Sequence, residues 1–205
     1  MWVWNLSHQD AFLIDLWQAL PPGTTRIRSS NDPPDPDSVL SVIRVKQQFG
    51  EFSYRPLAGD NIVIDPEWVR NNIQTRTLPL LGTFRCHKDI WPLFEQAMEQ
   101  IITARANGHL RRSDFRSRGG CYNAREIRGG DKGGSISRHS WGIAIDINPS
   151  SNPYGGRITM HPTIVEIFHD LGFAWGGGWT FSDGGRFEWK TDVHQSPSTL
   201  PGLGR

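Results

Sequence analysis

The stretch Ser137-Arg138-His139-Ser140-Trp141-Gly142-Ile143-Ala144-Ile145-Asp146-Ile147-Asn148 places an imidazole seven residues ahead of a carboxylate. Between them a glycine opens a run, Ile143 to Ile147, that alternates like a half-buried strand. A period of two turns Ile143, Ile145 and Ile147 to one side and Ala144 and Asp146 to the other. A carboxylate in so apolar a strand is costly to bury unless a cation receives it. A metal ion would do so, and His139 can reach the same ion from the loop before the strand. A catalytic zinc site takes three protein ligands and keeps a fourth position for water, so a third ligand must come from elsewhere. Of the seven histidines, His194 is the choice, because it follows an aromatic, glycine-rich strand signal and has Asp192 two residues before it. Residues two apart on a strand share a side. Asp192 would therefore face the cavity, take a proton from metal-bound water and return it to a leaving amine.

Each of these residues also has a plainer reading. A histidine near an aspartate is more often a hydrogen-bonded pair than a ligand set. Arg125, in a glycine-rich loop, would ordinarily be a solvated charge, and His87, His161 and His169 read as surface or structural residues. The nine tryptophans are more often core than sugar-stacking platforms, although Trp141, Trp175, Trp179 and Trp189 cluster in sequence near the proposed site.

The elements that must position the site follow from pattern. Apolar residues at helical spacing mark a helix over residues 8–20, capped by Ser7 and stopped by Pro21-Pro22-Gly23. Asn31 to Asp37 reads as a loop or linker. Ser38 caps a second helix that carries Val39, Leu40, Ile43 and Phe49 and ends at Gly50. Ile62-Val63-Ile64 is a short strand, and Pro66 to Arg70 suits the first turn of a short helix. The strongest helix runs from near Asp89 to Gly108, with Ile90, Trp91, Leu93, Phe94, Ala97, Met98, Ile101 and Ile102 on a wide apolar face and Pro92 in its first turn. A glycine-rich polar stretch, Arg116 to Ser137, is expected to run over the surface and line a cleft. After the central strand come a turn-rich loop from Asn148 to Gly156, a helix near Pro162–Leu171 ended by Gly172, and Phe173 to Trp179 leading to Glu188 through His194. Ser196 to Arg205 reads as a frayed tail. Helices segregated from short strands give an α+β class, with helices packed against a small antiparallel sheet. The division expected is a mainly helical N-terminal extension over 1–59, a peptidase domain over 60–195 and the tail over 196–205.

With 22 basic and 21 acidic residues and a net charge of +1, the chain lacks the basic footprint of a nucleic-acid binder. No apolar run is long enough to span a bilayer, and Met1 to Asn5 does not open a signal peptide. Two cysteines, Cys86 and Cys121, can pair, but they are too few for a disulfide framework and read as buried thiols or an incidental pair.

Ser137-x-His139-x-x-Gly142-x-Ala144-x-Asp146 resembles the first metal-binding motif of the zinc D-alanyl-D-alanine carboxypeptidase family. That family includes the vancomycin-resistance dipeptidases and carboxypeptidases and the phage L-alanyl-D-glutamate endolysins. Tyr122-x-x-Arg125, Asn148-Pro149, Gly172-Phe173 and Trp175-Gly176-Gly177-x-Trp179 follow the same order as in its cell-wall branch, so the likeness covers roughly residues 60–195. The resemblance implies a hedgehog/DD-peptidase-like fold and Zn²⁺ held by His139, Asp146 and His194. It also implies that Arg125 steadies the oxyanion or a substrate carboxylate, and that Ser137, Tyr122 and Trp179 contact substrate. The expected partner is a peptidoglycan stem peptide, cut at a D-Ala–D-Ala or an L-Ala–D-Glu bond by a monomer that inserts in no membrane and acts on the cell wall.

One departure stands out. The family places its catalytic acid three residues before the last histidine, whereas here that position is Thr191 and the acid is Asp192. Three readings stay open: Asp192 still serves, Glu188 serves, or the base is gone. The last would leave a non-catalytic, zinc-stabilised wall-binding module. A hydrolase built on either cysteine is the weakest alternative, because neither lies in an activating motif.

Overall fold

The computed structural model describes residues 40–116, 119–127 and 135–190. The helix expected over 8–20, the linker, the tail, Asp192 and His194 lie outside these residues. The fold is α+β, as the pattern implies. Four α-helices are described: α1 (Val42–Phe49), α2 (Pro66–Asn72), α3 (Trp91–Ala106) and α4 (Pro162–Asp170). The strands form three small antiparallel sheets. β1 (Tyr54–Pro56) pairs with β2 (Ile62–Ile64), and β3 (Ile73–Leu78) pairs with β4 (Gly82–His87). In the third sheet β7 (Arg186–Trp189) lies between β5 (Ala144–Asp146) and β6 (Phe173–Trp175).

Helix α1 starts later than the sequence pattern suggested. Its cap is Ser41, whose Oγ accepts the Arg44 N–H at 3.3 Å, rather than Ser38. Extended backbone at Ser41 turns its hydroxyl onto the first helical turn, and that leaves Leu40 ahead of the helix. Val45 and Phe49 are buried in the same core as α3 and the sheets. Two bonds tie this segment to the motif of interest: Arg138 Nη2 to the Leu40 carbonyl at 2.6 Å, and Trp141 Nε1 to the Gly50 carbonyl at 3.0 Å.

Helix α3 buries Phe94, Ala97, Met98, Ile101 and Ala104, a stripe at i, i+3, i+4, i+7 and i+10. The stripe is narrower than expected, since Ile102 is exposed. Phe94 stacks on Phe173 of β6 at 5.4 Å, and Phe168 of α4 stacks on Phe187 of β7 at 4.4 Å. Each such buried ring contributes about 1.5–3 kcal/mol by leaving water. The helices thus press one face of the three-stranded sheet.

Across that sheet, Ile145, Phe187 and Trp175 share a row, and Ala144, Glu188 and Ala174 share the next. One face is therefore aromatic and aliphatic. The other carries small alanines, two acids and Arg186, and it holds the candidate site. No helix among the described residues is long and apolar enough to cross a membrane.

Candidate metal and peptide site

Ser137 begins the site by capping a short 3-10 turn, Arg138–Trp141, with its Oγ accepting the His139 N–H at 3.4 Å. Gly142 ends the turn at φ +70°, and its N–H donates to the His139 carbonyl. A Cβ at Gly142 would lie 2.7 Å from the His87 nitrogen, so only glycine lets the turn press against the end of β4. There His87 donates its N–H to the Gly142 carbonyl at 3.0 Å. The turn delivers His139 into the interior, 2 % exposed, directly ahead of β5.

The His139 ring is oriented by the loop that the sequence marked as glycine-rich. Its Nδ1 lies 2.7 Å from the Cys121 carbonyl. A carbonyl only accepts, so Nδ1 carries a proton, and in the neutral ring Nε2 presents its lone pair. Among the described residues no hydrogen-bond partner reaches Nε2, and Asp146 Oδ1 stands 3.4 Å away. Gly119 lies over Asp146, donating its N–H to the Asp146 carbonyl at 2.7 Å; a Cβ there would fall 2.6 Å from the Asp146 Cβ.

Cys121 is itself anchored by a disulfide to Cys86 on β4. Arg125 follows on the same loop, its N–H on Ser140 Oγ at 2.9 Å and its Nη1 on the Glu126 carbonyl at 3.1 Å. Tyr122 is half-buried, with its ring under the Arg85 guanidinium at 4.8 Å. Burial pushes its phenol up, against the pull of Arg85.

Two residues that the pattern did not single out complete the surroundings. Asp146 pairs directly with Arg186 across β5 and β7, and Asp183 stands three residues before Arg186 in a tight turn closed by Arg186 N–H to the Asp183 carbonyl at 3.0 Å. Burial opposes ionisation of Asp146, but the His139 ring, then Arg186 and Arg125, outweigh it and hold the carboxyl below its ordinary value. Asp183 shifts the other way: burial and then the Asp146 charge push it up, against Arg186, His139 and Arg125. Glu188, weighed above as a base, is 4 % exposed and accepts Arg186 Nε at 2.9 Å, with Arg138 Nε at 4.0 Å. Its carboxylate is committed to those guanidinia.

Arg125, Asp146, Tyr154, Asp183 and Arg186 line a cavity of about 410 Å³. A second cavity of about 670 Å³ shares Arg125, Tyr154, Asp183 and Arg186 with the first and adds Ser137 and Trp179. Both volumes suit a short peptide. Of the residues read from the sequence, Arg125, Ser137, Trp179 and Asp146 therefore come together at the cleft, with His139 against Asp146.

As ligands, His139 Nε2 and Asp146 Oδ1 fit one edge of a zinc tetrahedron. Bonds of about 2.0–2.1 Å at tetrahedral angles separate two ligand atoms by about 3.4 Å, and that is the spacing found here. Among the described residues no third histidine, cysteine or acid joins them as a metal-holding group.

Residues 130–189 match a family model described as D-alanyl-D-alanine carboxypeptidase. No curated protein and no solved structure matches the chain. The matched segment, which supports a peptidase, contains His139, Asp146, Asp183 and Arg186, and it stops short of Asp192 and His194. The sequence signal for Asp183 and Arg186 lay in their spacing, an acid three residues ahead of a cation within the matched segment.

Proposed function

We propose that this domain is a peptidase of peptidoglycan stem peptides, with zinc as its metal and His139 and Asp146 as two of the ligands. The observation that carries the reading is the bare, buried Nε2 of His139 facing Asp146 Oδ1 at 3.4 Å. With the ring neutral these are two acceptor atoms turned toward each other, and such a pair calls for a cation between them. The third ligand suggested by the sequence, His194, and the acid Asp192 belong to the segment beyond the described residues.

Zinc in such a site supplies a Lewis acid and a bound water of lowered pKa. The protein's own groups do the rest. Cys121 holds the tautomer of His139 through Nδ1. Arg125, at the wall shared by both cavities, receives negative charge, whether a terminal carboxylate or the oxygen of a tetrahedral centre. Trp179 offers an apolar wall to the peptide. Asp183, whose carboxyl keeps its proton to higher pH than usual, is the described acid best placed to hold a proton at the cleft.

Digesting purified muropeptides with added zinc and weighing the products tests this. Loss of one alanine identifies a carboxypeptidase, release of stem fragments an endopeptidase, and either activity should vanish in His139→Ala. Neither cleavage nor binding of muropeptides would end the proposal. A second reading, recognition of stem peptides without cleavage, is favoured by the cationic Arg186 placed directly opposite Asp146. Binding without cleavage would select it.

A further inference from the structure

We propose that Arg186 occupies the place of the third metal ligand and is the cleft's built-in cation, so that this chain holds zinc far more weakly than it would with histidine there. The inference rests on reading His139 and Asp146 as one edge of a metal site.

Sheet register makes the first argument. Residues directly opposite on antiparallel strands project to the same face with Cβ atoms about 4.5–5.5 Å apart, and Arg186 is the residue opposite Asp146. The side chain that β7 offers to the His139–Asp146 pair is therefore Arg186. Spacing makes the second. Asp183 precedes Arg186 by three residues and lines the same cavity as Asp146, the relation expected of the family's acid and its last ligand. The extent of the family match makes the third, since it includes position 186 and ends at 189, before His194.

The chemistry of the side chain sets the consequence. A guanidinium stays protonated at any working pH and has no lone pair to give a metal. Arg186 is also fixed in place, with Nε on Glu188 Oε2 at 2.9 Å and its Cζ 5.9 Å from the Trp179 ring. A divalent ion on the His139–Asp146 edge would share with this fixed positive charge a cleft that Asp183 and Asp146 line as well.

Zinc affinity, read on the full chain by competition with a chromophoric chelator, tests the proposal without requiring activity. Arg186→His should bind one zinc on the order of 100-fold more tightly than wild type, and adding His139→Ala should abolish the gain. Arg186→Gln, which removes the charge without adding a ligand, should bind about 10-fold more tightly than wild type. It carries the test if near-ultraviolet circular dichroism shows the histidine variant unfolded. Wild type that already binds one zinc as tightly as Arg186→His, and loses it in His194→Ala, overturns the inference while leaving the metal edge standing. Folded variants at position 186 that bind no better than wild type overturn it as well. If His139→Ala then changes nothing either, the metal reading of His139 and Asp146 falls with it.

Discussion

Cys121 touches His139 through its carbonyl, 2.7 Å from Nδ1, and is tied through its sulfur to Cys86 on β4. One residue thus orients the ring of the candidate ligand and pins the loop that carries Arg125. The cross-link is placed where it orients the site as well as closing a loop of the chain.

Cutting the disulfide should therefore affect both stability and the cleft. For a sequence separation of 35 residues, the loop-entropy argument gives about 3–4 kcal/mol of stabilisation. The Cys86→Ser/Cys121→Ser variant should unfold at lower urea by that amount and, under conditions where it remains folded, bind muropeptides more weakly. An unchanged urea midpoint would show that the loop is held by its packing and hydrogen bonds alone.

Gly142 offers a sharper test of the turn. A methyl group there meets the His87 nitrogen at 2.7 Å, and the backbone sits at φ +70°. Gly142→Ala should cost about 2–4 kcal/mol in thermal or urea unfolding, the sum of left-handed strain and the displaced β4 contact. Gly155→Ala, at φ +66° but with open space around its Cβ, should cost about 1 kcal/mol. Equal losses in the two would show that the close approach to His87 carries no weight.

The parts legible in the sequence are those whose partners are local. Ile143, Ile145 and Ile147 alternate with Ala144 and Asp146, and the strand obeys the alternation with its apolar face against Phe187. His139 and Asp146 are seven residues apart, joined by one turn and one strand, so their encounter is written into a short segment. The spacing of Asp183 and Arg186 gains weight only from register, which depends on how β7 docks between β5 and β6. The cap of α1 was misread because Ser38 and Ser41 are equivalent by type, and only backbone geometry selects between them. Pairing of Cys86 with Cys121 needs the loop to fold back onto β4, which composition does not report.

His87 predicts an acid-sensitive core. It is 1 % exposed, its Nδ1 accepts the Asp89 N–H, and its ring lies edge-on to Phe49. Burial lowers its pKa from 6.5 to about 4, with Asp89 offsetting part of the effect. The folded state thus favours neutral imidazole. Its contribution is complete above pH 6.5, declines as pH falls toward about 4, and is lost below that. The largest change is about 3 kcal/mol. His87→Asn keeps a cap acceptor without the titration, so the difference between wild type and variant in urea midpoint should shrink steadily from pH 7 to pH 4.5. A difference independent of pH would remove His87 as the cause.

Arg125 separates chemistry from folding most directly. Its backbone N–H is held by Ser140 Oγ, a bond that a side-chain change leaves in place, and its side chain lines both cavities besides donating Nη1 to the Glu126 carbonyl. If it receives the charge that develops during cleavage, Arg125→Ala should lower kcat/KM on muropeptides by about 10²–10³ while the protein stays folded with at most a small drop in melting temperature. Arg125→Lys should recover only part of this, since a point charge lacks the two-pronged fit to a carboxylate or oxyanion. The pattern also separates roles. A loss confined to KM marks recognition of the substrate carboxylate, whereas equal losses in kcat and kcat/KM mark an interaction made only in the transition state. Full activity in the alanine variant would remove Arg125 from the reaction and leave its guanidinium a structural group, bonded to the Glu126 carbonyl.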